Sequence, residues 1–314
     1  MKTYLLLFLI TCFNIGCTMQ SANAQAPTVS SGKIEQIENF KSRFISPRNV
    51  DVWLPDGYSS NEKYAVLYMH DGQMLFDAAL TWNNQEWGVD ETIGKLIKEQ
   101  KIDKCIVVGV WNSGKSRHSD YFPQKPFERL SQTFRDSLLQ EYGTTLFPTK
   151  IQSDNYLKFL VKELKPYIDS TYATYPDKAH TFIAGSSMGG LISLYAICEY
   201  PEVFGGAACI STHWPGIFTD EDNPIPAAFI DYLKQRLPDP ATHKLYFDYG
   251  TETLDAMYEP YQLQADALMK CKGYNDKNWK TLKFTGEDHS ENAWGKRLHI
   301  PVTFLLGKGK SSKQ

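Results

Sequence analysis

The sequence predicts an α/β protein: a mostly parallel central sheet with helices on both faces, a three-layer sandwich. Three observations lead there. Short runs such as 64–69 and Cys105–Val110 are too uniformly apolar for a one-sided strand and fit central strands covered on both faces. These runs alternate with segments of helical periodicity, the pattern of strand–helix–strand crossovers. At residues 181–196 the chain reads as strand, glycine-rich turn and helix in direct succession.

Taken in order, residues 50–54 alternate with period two and stop at Pro55-Asp-Gly-Tyr. Strand-like runs follow at 64–69, Cys105–Val110, 181–184, Gly206–Ile210, 244–247 and Trp279–Phe284. Helical patterns between them cover 87–99, 155–170, 191–199, 227–237 and 261–271, and a last helix is expected after residue 289. Residues 116–154 break the rhythm. Long, polar and aromatic, they read as an insertion or lid over one end of the sheet. At 314 residues the chain has room for one large domain or two small ones. No repeat, low-complexity tract or linker divides it, so 34–308 reads as one domain, with a flexible leader at 25–33 and a polar tail at 309–314.

Thirty-three Lys+Arg against 36 Asp+Glu give a net charge of −3, with no clustered basic stripe, so nothing favours a nucleic acid partner. The partner is expected to be small or neutral, and the oligomeric state is not legible. Met1–Lys2 followed by the apolar 4–10 is a basic then hydrophobic start, far short of the roughly twenty residues that cross a bilayer. It reads as an export signal, with no membrane span. Ala22-Asn23-Ala24 before Gln25 is a small-x-small cleavage site, which would release a periplasmic or secreted protein. Ile15-Gly16-Cys17 instead resembles the end of a bacterial lipobox, with Asn14 where Leu is usual, and would place a lipid anchor on Cys17. Beyond Cys12 and Cys17, the cysteines 105, 198, 209 and 271 show no zinc-binding spacing, and Cys105 and Cys209 sit in apolar runs as small hydrophobes.

Gly185-Ser186-Ser187-Met188-Gly189-Gly190 is a G-x-S-x-G turn between strand and helix. Such a turn lifts the Ser187 hydroxyl above the carboxyl edge of the sheet and leaves the Met188 amide at a helix N-terminus, where it can hold an oxyanion. A serine needs a base to become a nucleophile. His289, after the last strand-like run, stands where that base is expected, whereas His299 lies in an apolar stretch and His243 precedes a strand. The acid is sought in the loop Asp248-Tyr-Gly-Thr-Glu252-Thr-Leu-Asp255. Asp248 is still within the strand, and of the other two Asp255 is preferred to Glu252. The loop His70-Asp71-Gly72-Gln73 is expected to supply the second oxyanion donor from the Gln73 amide, with His70 in a structural hydrogen-bonding role.

HDGQ at 70–73, VVGVWNSGKSRHSDYFP at 107–123, GSSMGG at 185–190 and HSENAWGKRL at 289–298 resemble the putative-esterase family of α/β-hydrolases. Its members include enterochelin esterase, feruloyl and acetylxylan esterases, S-formylglutathione hydrolase and the mycolyltransferases. The resemblance runs from about residue 51 to 306. It implies an α/β-hydrolase fold and a serine acyl-transfer enzyme without metal or organic cofactor, with Ser187 and His289 matching nucleophile and base. The acid varies in position among these relatives, so Asp255 and Glu252 both stay open. Arg117 and Tyr121 match an R-x-x-x-Y-x-P pattern that lines the pocket region in the family. Trp214, on another loop at the sheet edge, is either a substrate platform or a packed residue. Glu291 and Trp294, three residues apart, share a helix face and are read as supports for His289.

These readings converge on an exported serine esterase acting on a carboxylic ester, with a carbohydrate-linked acyl, acetyl or feruloyl group as the leading substrate. Siderophore-ester cleavage and acyl transfer use the same triad. A reading of another class is a non-catalytic surface protein that binds glycan in an aromatic cleft.

Overall fold

The computed structural model describes residues 26–308. The proposed export segment, both cleavage sites, Cys17 and the 309–314 tail lie outside them. One sheet of eight strands organises the chain, in the order β1-β2-β4-β3-β5-β6-β7-β8. The strands are β1 (Lys33–Phe40), β2 (Arg48–Leu54), β3 (Ala65–His70), β4 (Cys105–Val110), β5 (Thr181–Ser186), β6 (Gly206–Ile210), β7 (Lys244–Gly250) and β8 (Trp279–Phe284). β1 and β2 pair antiparallel, as do β2 and β4, and every later pairing is parallel.

Among the described residues the α-helices are α1 (Val89–Lys98), α2 (Arg117–Tyr121), α3 (Gln124–Glu128), α4 (Gln132–Tyr142), α5 (Ser153–Phe159), α6 (Lys165–Thr171), α7 (Met188–Glu199), α8 (Ile225–Arg236), α9 (Glu259–Cys271), α10 (Glu291–Arg297) and α11 (His299–Leu306). Side chains of β3 alternate between two cores. Val66 and Tyr68 join α5 to α9 on one face, while Ala65, Leu67 and Met69 join α1, α10 and α11 on the other. That is the three-layer arrangement of an α/β-hydrolase fold. Strands β2 to β7 are buried almost throughout, which is why β3, β4 and β6 read as near-continuous apolar runs, while β2 and β7 bury the charged Asp51 and Asp248 among theirs.

Three local features depart from the sequence expectation. β1, KIEQIENF, begins in what reads as leader. It is a half-exposed edge strand with charges along it, so it lacks the apolar run that marks the others. The helix expected at 155–170 is interrupted by a π turn at Leu160–Leu164, just before Pro166, whose missing N–H removes one α-helical bond. Residues 116–154 hold α2 to α4. Most of α2 is buried, whereas only Leu138 of α4 is.

Strand order positions the site. From β3 the chain moves one way to β4, then returns to place β5 on the other side of β3. At such a switch point the loops leaving two neighbouring strands part and open a crevice at their carboxyl ends. Here these are the loop after β3, with Gln73, and the turn after β5, with Ser187. Among the described residues no helix is long and apolar enough to cross a membrane.

Candidate active site

Ser187 sits between β5 and α7 at φ +57° and ψ −122°, a conformation that strains a residue with a side chain. The neighbours enforce it. A Cβ on Gly185 would come within 2.8 Å of the Gly189 backbone, and one on Gly190 within 3.0 Å of the Ile210 carbonyl. The Ser187 amide donates to that carbonyl at 2.9 Å, and its own carbonyl accepts from the His213 amide at 3.2 Å. Met188 opens α7, so its amide lies among the unpaired N–H groups of a helix start. Behind the turn, Tyr258 and His213 are fully buried and share a hydrogen bond of 2.8 Å between hydroxyl and Nδ1.

His289 lies just before α10. Its Nδ1–H donates to Asp255 Oδ1 at 2.5 Å, and its amide donates to the Thr253 hydroxyl at 3.0 Å. A carboxylate only accepts, so Nδ1 carries a proton toward Asp255, and in the neutral ring Nε2 is the nitrogen with the lone pair. Asp255 is 1% exposed, whereas Glu252 faces solvent and its carboxylate accepts a hydrogen bond from the Thr251 hydroxyl. Asp248 stays within β7, fully buried and forked to Arg297, with Nη2–Oδ1 at 3.0 Å and Nε–Oδ2 at 3.3 Å. Removing one partner of such a pair strands the other charge in the core. Arg297→Met is therefore expected to lower unfolding free energy by about 3–5 kcal/mol, read from urea denaturation. A loss under about 1 kcal/mol would show that Asp248 finds another partner.

The loop after β3 is held from several sides. Asp71 adopts φ +57°, and a Cβ on Gly72 would meet the Gly109 backbone at 2.5 Å. The Arg117 guanidinium forks onto Asp71, with Nε–Oδ1 and Nη2–Oδ2 both at 2.7 Å, and Asn112 Nδ2 donates to Oδ1 at 2.8 Å. Burial alone would raise the Asp71 carboxyl, but the Arg117 charge and these hydrogen bonds hold it below the usual carboxylate range. The Asn112 amide in turn donates to Gln73 Oε1 at 3.1 Å. His70 shares a hydrogen bond of 2.7 Å with the Tyr156 hydroxyl, and burial pushes its pKa down to about 3, which leaves it neutral.

Two residues nominated for substrate contact do not reach the crevice. Trp214 is fully buried, stacked on Phe247, with its indole N–H donated to Gln262 at 3.1 Å. Tyr121 is also fully buried. Its ring lies under Arg117, 5.2 Å from the guanidinium, and its hydroxyl accepts the Asp71 amide at 3.4 Å. Both act from beneath the site. Arg117 itself lines the cleft, its guanidinium committed to Asp71. Of the expected supports for His289, Trp294 packs edge-on against its ring at 4.9 Å, whereas Glu291 accepts a hydrogen bond from Asn83.

The sequence profile of the family described as "Putative esterase" matches residues 42–299. The chain belongs to that family. It is 26% identical over 197 residues to an endo-1,4-beta-xylanase/feruloyl esterase of Xylanibacter ruminicola, a match that covers 59% of this chain and 22% of that protein. Its fold resembles that of a CE1 ferulic acid esterase from Anaeromyces mucronatus, solved with ferulic acid (TM-score 0.60, 19% identity, 95% of this chain and 97% of that one). It also resembles the enterobactin esterase FES of Shigella flexneri (TM-score 0.63, 16% identity, 89% of this chain and 60% of that one).

In this esterase Ser187 and His289 open into a cleft of about 830 Å³, whose wall also includes Gln73, Asn112 and Arg117. Its rim is aromatic. Trp82 is 84% exposed and Phe218 60% exposed, and both line the cleft. Sequence reasoning missed them. The available signal was an aromatic among polar neighbours, Thr81-Trp82-Asn83-Asn84-Gln85, where no core periodicity calls for one. The Trp82 loop is fastened at both ends. Thr81 Oγ1 donates to the Ala78 carbonyl at 2.9 Å, and Asn83 Nδ2 donates to Glu291 Oε2 at 2.8 Å. Among the described residues no cluster of three or more His, Cys, Asp or Glu is arranged to hold a metal ion, and the four cysteines are unpaired.

Proposed function

We propose that the protein is an exported serine esterase whose nucleophile is Ser187, whose base is His289 and whose acid is Asp255. The observation that carries this reading is the 2.5 Å His289–Asp255 hydrogen bond in the same cleft as a serine on a strained strand–helix turn. His289 Nε2 takes the Ser187 proton as the oxygen attacks the ester carbonyl. The amides of Met188 and Gln73 receive the negative charge on the carbonyl oxygen. Collapse expels the alcohol, which His289 protonates, and water then hydrolyses the acyl-enzyme by the reverse proton path. Asp255 holds the imidazole tautomer and balances the imidazolium in both halves.

The ester is proposed to be carbohydrate-linked, of acyl, acetyl or feruloyl type. The exposed Trp82 and Phe218 and the ferulic acid esterase activity of similar proteins support this choice. The test is hydrolysis of p-nitrophenyl acetate together with mass-spectrometric mapping of a fluorophosphonate adduct. Turnover and an adduct on the Ser187 peptide are expected; neither appearing would leave the glycan-binding reading in possession of the fold. Trp82→Ala is expected to lower kcat/KM for a feruloylated sugar by about 3- to 10-fold, the worth of one ring-stacking contact, and to spare p-nitrophenyl acetate. Equal losses on both esters would instead place the indole in loop support.

A further inference from the structure

Asp255 divides its two oxygens. Oδ1 takes the His289 Nδ1–H, while Oδ2 accepts the Gly250 amide at 2.5 Å and the Ser211 hydroxyl at 2.6 Å. Ser211 directly follows β6, is fully buried and is held at φ +43°, unfavourable for any residue with a Cβ. Its hydroxyl oxygen also accepts from the Trp294 indole N–H and from Arg297 Nη2, each at 3.0 Å. A hydroxyl has two lone pairs and one proton. Two groups that can only donate occupy the lone pairs, so the proton is directed to Asp255. Trp294 and Arg297 lie three residues apart on α10, and Trp294 also packs against the His289 ring. The segment that carries the base therefore also carries both groups that aim Ser211 at the acid.

We infer that Ser211 is a positioning residue for ester hydrolysis: its hydroxyl, oriented by Trp294 and Arg297, fixes the carboxylate plane of Asp255 and through it the ring of His289. This rests on the Ser187–His289–Asp255 reading. The imidazole serves acylation and deacylation alike, so a loosened Asp255 slows both steps and leaves ester binding intact. Ser211→Ala removes the hydroxyl. Ser211→Gly removes it and also frees the left-handed backbone. With kcat expressed per site titrated to completion by a fluorophosphonate, so that unfolded protein does not count, both variants are expected to lose about 10- to 100-fold in kcat on p-nitrophenyl acetate, with KM within about twofold of wild type.

If both variants match an active wild type in kcat, the role of Ser211 is overturned and the triad stands. If Ser211→Gly recovers what Ser211→Ala loses, the role is also overturned, because the loss then belongs to the backbone. A rise in KM at constant kcat overturns it in favour of a binding role. A wild-type protein that neither hydrolyses the ester nor takes up the probe overturns the esterase reading together with this one.

Discussion

Ser187→Ala is expected to lower kcat on p-nitrophenyl acetate by about 10⁶-fold and to abolish the fluorophosphonate adduct. Only the hydroxyl oxygen proposed as nucleophile is lost. The amides proposed to hold the oxyanion belong to the backbone of residues 73 and 188 and stay in place, so a residual rate of about 10³ over water should persist. Alanine keeps the same Cβ, so the φ of +57° and the hydrogen bond from residue 187 to Ile210 are retained. The melting temperature should therefore hold, which separates a chemical loss from a folding one. Turnover above one-hundredth of wild type (roughly 2.7 kcal/mol in barrier) would remove Ser187 from the reaction.

Asp255→Asn is expected to lower kcat by about 10⁴-fold with little change in KM. The hydrogen-bond inventory explains why an almost isosteric change costs so much. One side of the carboxylate accepts from His289 Nδ1, and the other from the Gly250 amide and Ser211. An amide must turn its NH₂ toward one of these sides. Facing His289, it drives the proton from Nδ1 to Nε2 and removes the base; facing Gly250, it sets donor against donor in a buried site. Glu252→Gln, at an exposed carboxylate of the same loop, should leave kcat within about twofold. The reverse outcome, collapse with Glu252→Gln and survival with Asp255→Asn, would transfer the acid to Glu252. Steady-state kinetics of the two variants decides between them.

What the sequence discloses follows from how each contact is made. β4, β6 and β8 begin and end where sequence analysis puts them, because apolar runs bounded by polar residues are local signals. The Ser187 turn is only partly local: Gly185 answers its neighbour Gly189, whereas Gly190 answers the Ile210 carbonyl of β6. β1 escapes notice because an edge strand hides only part of itself. Whether an aromatic residue is buried is decided by distant partners. Trp214 reads as a candidate platform but is buried by Phe247 and Gln262, while Trp82, in an unremarked polar loop, stays in solvent. Glu252 and Asp255 have nearly the same chemistry three positions apart, and only the tertiary path of the loop buries one and exposes the other. The Arg117–Asp71 fork joins residues 46 apart, a pairing for which the chain carries no local mark.

The adjacency of β3 and β5 has a consequence for how such an enzyme changes over generations. The Ser187 hydroxyl and the loop proposed to hold the ester's oxyanion hang from two strands bonded to each other, so their separation is set by the sheet. Phe218 belongs to the loop after β6, and Trp82 to the far part of the connection that leaves β3, held there by the Thr81–Ala78 and Asn83–Glu291 hydrogen bonds. On the proposed reading, the exposed rings that meet the ester stand apart from the strand ends that fix the reacting atoms. On that reading a lineage can exchange these two rings, and retune which ester fits, while β3 and β5 stay in register.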